Sequence, residues 1–265
     1  MIIDDKIVQQ YLSGQSSDSY KDNWIFHCFD HPVFEEPNYK HYEWIAKLHK
    51  KLIGQISAYK PRNYDLVKKV FADFDSIAAS FTVMLVVGFA DPYDAMVLEH
   101  TGKEYMVFDL IQFGQECLGE NYSCHRVLTH ELLHMCLHRK FPRLDALSYV
   151  ESLRYKAFDE GFAHGLTYPE NISGFVFDDF LQDKYDIAAE RIKRSLLETN
   201  PEKQQAYLAS ADTGDYWEKF ASIYGKLYIL KNLSTICEIY KNGWNSFAPE
   251  MFGKPSRLED INIVK

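Results

Sequence analysis

The sequence predicts an α+β fold, and three observations lead there. Apolar residues recur at helical spacings from about residue 39 to residue 81, three short apolar runs broken by turn signals fill residues 81 to 113, and helical spacing then returns as far as Gly243. Helices, then a small sheet, then helices keep the two kinds of element apart, which is the α+β arrangement rather than an alternating one. At 265 residues the chain is long enough for a substantial core.

The first helical stretch, "YKHYEWIAKLHKKLIGQISAY", sets Trp44, Ile45, Leu48, Leu52, Ile53 and Ile56 mostly three and four apart. Pro61 suits the first turn of a second helix, in which Leu66, Val67, Val70, Phe71, Phe74 and Ile77 share a face, so the two read as a helical hairpin. "FTVMLVVGF", "DAMVLEH" and "EYMVFDLIQF" are the expected strands, separated by "ADPYD" and "TGK". Helices follow in "VLTHELLHMCLHRKF", with Ser123 as a cap, then in "SYVESLRYKAFDEGFAHGLTY" and "DDFLQDKYDIAAERIKRSLLETN". A last long helix runs from "DYWEKF" to a C-terminal cap at Gly243.

Composition narrows the function classes. With 46% hydrophobic and 25% charged residues the chain is in the folded globular range. A net charge of -9 argues against nucleic acid and anionic membranes, which need clustered cations; Lys47, Lys50 and Lys51 read as a solvated helix face. The opening "MIIDDKIVQQYLSG" lacks the charge pattern of a signal peptide, and no run approaches the roughly 20 apolar residues of a membrane span. Cys28, Cys117, Cys124, Cys136 and Cys237 form no CxxC pair, which disfavours a disulfide framework and points to a cytoplasmic setting.

The chemistry concentrates in "HELLH", residues 130 to 134. On a helix, His130 and His134 project from one face with Cβ atoms roughly 6 Å apart, so both imidazoles reach one Zn²⁺ at about 2.1 Å. Glu131 stands about 100° round from His130, where it reaches a water on that ion as a general base. Two histidines and a glutamate in an otherwise apolar helix are costly to bury without partners, and a metal supplies them. His138 continues the spacing one turn too far for the same ion and reads as a helix-end histidine. Leu137 and Lys140 stand where HExxHxxGxxH requires Gly and His, which excludes the metzincins.

A hydrolytic zinc site needs a third protein ligand and an open position. Glu160 in "KAFDEGFAHGL" is the candidate, on a helix where Gly161 permits close approach to another backbone. "HELLH" followed by "FDEGFA" resembles the gluzincin metallopeptidases, and "DEGFA" is similar to the "NEGFA"-type sequence of their aminopeptidases. The resemblance implies His130, His134 and Glu160 as zinc ligands, Glu131 as base, and a zincin-like, thermolysin-like fold of two lobes. In this reading residues 1 to 265 form one metallopeptidase-like domain, with the sheet and the HExxH helix in residues 1 to 140 and a helical lobe in residues 141 to 265. The interval from His134 to Glu160 is longer than in familiar members, with an inserted loop at "RKFPRLDALSYVES". No "GAMEN"-type sequence is present, which favours an endopeptidase over an aminopeptidase.

Other residues compete for roles. His164, four residues after Glu160, can replace it as ligand or bond a substrate, and Asp159 can orient His130 or His134. Tyr216, Tyr224 and Tyr228 are candidate hydrogen-bond donors to an oxyanion, Tyr224 beside Gly225 being preferred. His27, Cys28, Asp30 and His31 in "FHCFDH" match no ligand spacing and read as incidental. The expected function is a zinc metallopeptidase acting on peptides or proteins, with the strand "DAMVLEH" as an edge for an extended substrate. The alternative is a zincin-fold binding or regulatory protein with a structural or vestigial metal site, against which Glu131 speaks because a structural site needs no base.

Overall fold

The structure, a computed structural model, describes residues 1–91, 93–116, 124–142, 147–168 and 171–253. Ser123, Cys117 and part of the loop after Pro142 lie outside them. The chain is α+β and mostly helical, with a small mixed sheet. The strands are β1 (Ile2–Asp4), β2 (Thr82–Val86), β3 (Ala95–His100) and β4 (Lys103–Asp109). The helices are α1 (Lys6–Leu12), α2 (Tyr42–Ser57), α3 (Tyr64–Val70), α4 (Phe74–Ser80), α5 (Leu110–Glu116) and α6 (His125–Lys140). They continue with α7 (Tyr149–Thr167), α8 (Asp179–Leu196), α9 (Pro201–Ser210), α10 (Phe220–Lys231), α11 (Ile236–Asn242) and α12 (Pro249–Phe252). Among the described residues no helix is long and apolar enough to cross a membrane.

Two compact units divide the chain: residues 1–61 with 74–131, and residues 62–73 with 132–265. The expected boundary near residue 140 therefore differs from the observed one, which falls inside α6 after Glu131 and gives residues 62–73 to the second unit. A break in contact density need not coincide with a break in secondary structure.

The sheet belongs to the first unit. Its order is β1-β2-β4-β3, with β1 and β4 parallel to β2 and β3 antiparallel to β4. Val83 to Val86 are all buried, and a strand flanked on both sides reads as such a continuous apolar run. β3 is an edge strand with no fully buried residue. Thr101 and Gly102, at φ of 51° and 72°, make the tight two-residue turn from β3 to β4 that a right-twisted hairpin prefers. β1 has no counterpart among the expected elements, since three residues are too few to show an alternation. The stripe expected on α2 buries Ile45, Leu52 and Ile56.

Asp109, fully buried at the end of β4, joins three backbone groups. Its carboxylate accepts from the N–H of Phe89 at 2.8 Å, Ile111 at 2.8 Å and Gln112 at 3.0 Å, tying the segment after β2 to the first turn of α5. Burial pushes its carboxyl up to about 7, although those donors pull the other way.

The second unit is built round α7, which opens with a capping box of Ser148 and Glu151. Gly161 meets Gly225 of α10 backbone to backbone: a Cβ added at Gly161 would lie 2.7 Å from the Gly225 carbonyl carbon, and one at Gly225 only 1.8 Å from the Ala157 oxygen. The close approach expected at Gly161 is therefore to α10 and not to the histidine helix. Buried Arg154 ties α7 to the C-terminal turns through the carbonyls of Asn245 at 2.6 Å, Gly253 at 3.1 Å and Phe252.

Two expected helices are broken, and one unexpected helix is added. The second breaks into α3 and α4 because Phe71 leaves helical geometry to bury its ring against Phe162 and Tyr240. Its start is Tyr64 rather than Pro61, after a left-handed Asn63 whose side chain bonds Leu166 and Ile172. The last long helix splits at Asn232 into α10 and α11, and Gly243, at φ 79°, does end it. α9 follows directly after α8 as an extra helix, with Asn200 accepting from Glu202 and Lys203 and Pro201 in its first turn.

Gly225→Ala should lower the stability read by chemical denaturation by about 3 kcal/mol, because a backbone carbonyl cannot yield as a side chain does. Gly54→Ala, in exposed α2 with open space about it, should raise it by about 0.5 to 1 kcal/mol. Asp109→Asn should cost about 1 to 3 kcal/mol, since an amide nitrogen cannot accept from Phe89. With the folded carboxyl titrating near 7 against an ordinary 3.8, the folded state holds a proton the unfolded state has lost. Wild-type stability should therefore fall as pH rises through that interval, and Asp109→Asn should lack this contribution in denaturation curves taken across it.

Candidate metal centre

α6 runs unbroken from His125 to Lys140, and its apolar residues Leu128, Leu132, Leu133, Cys136 and Leu137 are buried. His130, Glu131, His134 and His138 are half-buried and share the remaining polar face. His130 and Glu131 close the first unit; His134 and His138 open the second, one and two turns further on the same helix.

Within the second unit α7 brings two carboxylates to His134. Asp159 Oδ2 lies 3.1 Å from Nδ1, and Glu160 Oε1 lies 3.6 Å from Nε2. The first is a close charge contact, and the second is beyond hydrogen-bond range. Two donor atoms on one tetrahedral zinc stand about 3.3 Å apart, so the Nε2 to Oε1 spacing fits a pair of ligands facing one ion. The other Glu160 oxygen lies 3.3 Å from His164 Nε2. Neighbouring positions on α7 thus divide the two nitrogens of a single imidazole between them.

Burial works to raise the carboxyls of Asp159 and Glu160, but the histidines outweigh it. His134 and His138 hold Asp159 well below the usual carboxylate range, and His164 and His134 lower Glu160. Burial, helped by Lys226 and His134 and opposed by Glu160, lowers His164. Both carboxylates are therefore anionic at neutral pH and His164 is a neutral imidazole, the protonation states that metal ligation requires.

His138 is a helix-end histidine held by a hydrogen bond. Its Nε2 lies 3.2 Å from Asp159, which it shares with His134. A cavity of about 210 Å³ opens beside Asp159 and Glu160, walled also by Leu147, Ser152, Tyr155 and the ion pair of Lys156 with Asp212.

The chain matches no protein-family model, no curated protein and no solved structure. The resemblance to gluzincins therefore rests on "HELLH" and "FDEGFA" alone.

Tyr224 is not brought to this group. Its ring is fully buried, stacked on Tyr185 at 5.1 Å and near Tyr228 and Phe252, and burial pushes its hydroxyl up. Gly225 has to face α7, which turns the residue before it toward α8. The tyrosine beside the site is Tyr216, edge-on to His164 with ring centres 6.0 Å apart. It takes a 2.7 Å hydrogen bond from the ammonium of Lys226, which is fully buried and lies 3.5 Å from the centre of the Tyr168 ring. A lysine within the apolar run "FASIYGKLYIL" was the available sign of this cation. In "FHCFDH", the Cys28 thiol donates to the Ile25 carbonyl and His31 bonds Tyr93, and the run forms no metal-holding group among the described residues.

Lys226→Met should cost about 2 to 3 kcal/mol, read by thermal or urea unfolding, because the lost cation–π contact and charged hydrogen bond are partly offset by no longer burying a charge. Near-ultraviolet circular dichroism of the Tyr168, Tyr216 and Trp217 cluster should change with it.

Proposed function

We propose that this chain is a zinc-dependent hydrolase, a metallopeptidase of zincin-like two-lobed fold that cleaves within peptide or protein chains. His130, His134 and Glu160 are its metal ligands and Glu131 its general base. The observation that carries this reading is the approach of Glu160 Oε1 to within 3.6 Å of His134 Nε2, too long for a hydrogen bond and suited to two ligands of one ion. The HExxH spacing on an unbroken α6 supports His130 as the third ligand, one turn before His134.

Bound zinc supplies a Lewis acid that acidifies water and polarises a substrate carbonyl. The protein's own groups do the rest. The Asp159 carboxylate, 3.1 Å from His134 Nδ1, favours the tautomer with its proton on that nitrogen and leaves Nε2 as the donor atom. Glu131, next to His130 and turned about 100° from it, removes the proton of the attacking water and returns it to the leaving amine. Tyr216, held by Lys226, is better placed than Tyr224 to donate a hydrogen bond to the developing oxyanion. The cavity beside Glu160 has room for a substrate side chain.

Elemental analysis of protein purified without added metal should give about one zinc per chain, and His134→Ala should lose it. Glu131→Gln should keep the zinc and reduce hydrolysis of a mixed peptide library by about 10² to 10⁴. A zinc-loaded wild type that cleaves nothing in that library would favour the alternative, a binding or regulatory protein with a structural site.

A further inference from the structure

Asp159 makes more contacts than one zinc site requires. A single contact with His134 Nδ1 is enough to aim that ring, yet both oxygens of the same carboxylate also face His138. Oδ2 takes the hydrogen bond of His138 Nε2 at 3.2 Å. Oδ1, equally near at 3.2 Å, accepts none among the described residues, although it is buried. One donor atom from each of His134, His138 and Asp159 lies within 4.8 Å of the other two.

The spacing on α6 repeats here. His134 and His138 are four apart, as His130 and His134 are, so one helical face offers two overlapping pairs of imidazoles. Charge points the same way. The Asp159 side chain is 3% exposed, and a buried carboxylate needs a positive partner. A divalent ion held by the two imidazoles is such a partner.

The geometry points to a second divalent-cation site formed by His134 Nδ1, His138 Nε2 and the Asp159 carboxylate, sharing His134 with the proposed zinc site. Two nitrogens and one oxygen select Zn²⁺, Cu²⁺ or Ni²⁺ over Mg²⁺ and Ca²⁺. Filling both sites binds His134 through both ring nitrogens: the Nδ1 proton leaves to solvent, a nitrogen–metal bond replaces the N–H bond, and the ring becomes a bridging imidazolate. The second ion is therefore the weaker one, and its uptake releases a proton. The inference rests on the zinc reading only in sharing His134, and its test needs no hydrolysis.

Equilibrium dialysis of the full chain against rising free zinc, with metal content measured, tests it. Wild type should saturate at two ions per chain, the second with proton release, and His138→Ala at one. His138→Gln, which keeps a hydrogen bond to Asp159 but offers no imidazole nitrogen, should also saturate at one, separating a lost ligand from lost packing. His130→Ala should retain the ion that depends on His138. Wild type saturating at one ion, unaffected by either His138 substitution, would overturn the second site and leave the zinc reading standing. A single ion lost on changing His138 but kept in His130→Ala would uphold this site and sink the hydrolase reading. No bound ion at all would sink both.

Discussion

Backbone contact between Gly161 and Gly225 governs the second unit. Where two helices touch without side chains between them, neither can roll, because any rotation drives a Cβ into a carbonyl. α7 is thereby fixed with Gly161 toward α10. At about 100° per residue, Glu160 and Asp159 must then leave the helix on other sides, and those sides meet His134. The same constraint acts on α10. Gly225 faces α7, so Tyr224 turns to Tyr185 while Lys226 turns to Tyr168 and Tyr216.

Electrostatics follow from that placement. Two carboxylates and three imidazoles alternate within the second unit, from His138 through Asp159, His134 and Glu160 to His164. Each carboxylate is buried enough to prefer the neutral form, and each stays ionised because of histidines on both sides. Lys226 ends the sequence with a buried cation set against the Tyr168 ring and donating to the Tyr216 phenol.

Much of the architecture was legible in the sequence. The helical stripe of α2, the three long strands and the helices α6, α7 and α8 follow from periodicity, because each is long enough to show its repeat several times. The failures share a cause. Phe71 interrupts a good helical pattern to fill a space between Phe162 and Tyr240, and β1 is a strand only because Ile2 to Asp4 have β2 to pair with. Local pattern has no access to such partners. α9 is different, since Asn200 and Pro201 are a local start signal that lies just past the end of the expected preceding helix.

For the site, the sequence by itself determined what a single helix can determine. His130, Glu131, His134 and His138 had to share a face of α6, and Asp159, Glu160 and His164 had to stand at fixed angles on α7, because the 3.6-residue period leaves no choice. Only the tertiary structure decided which of these meet. Glu160 faces one nitrogen of His134, Asp159 faces the other and His138 as well, and Tyr216 stands by His164 where Tyr224 had been expected. The reason is physical: angles within a helix are set by neighbours in sequence, whereas the faces that two helices present to each other are set by a contact such as that of Gly161 with Gly225, more than sixty positions apart.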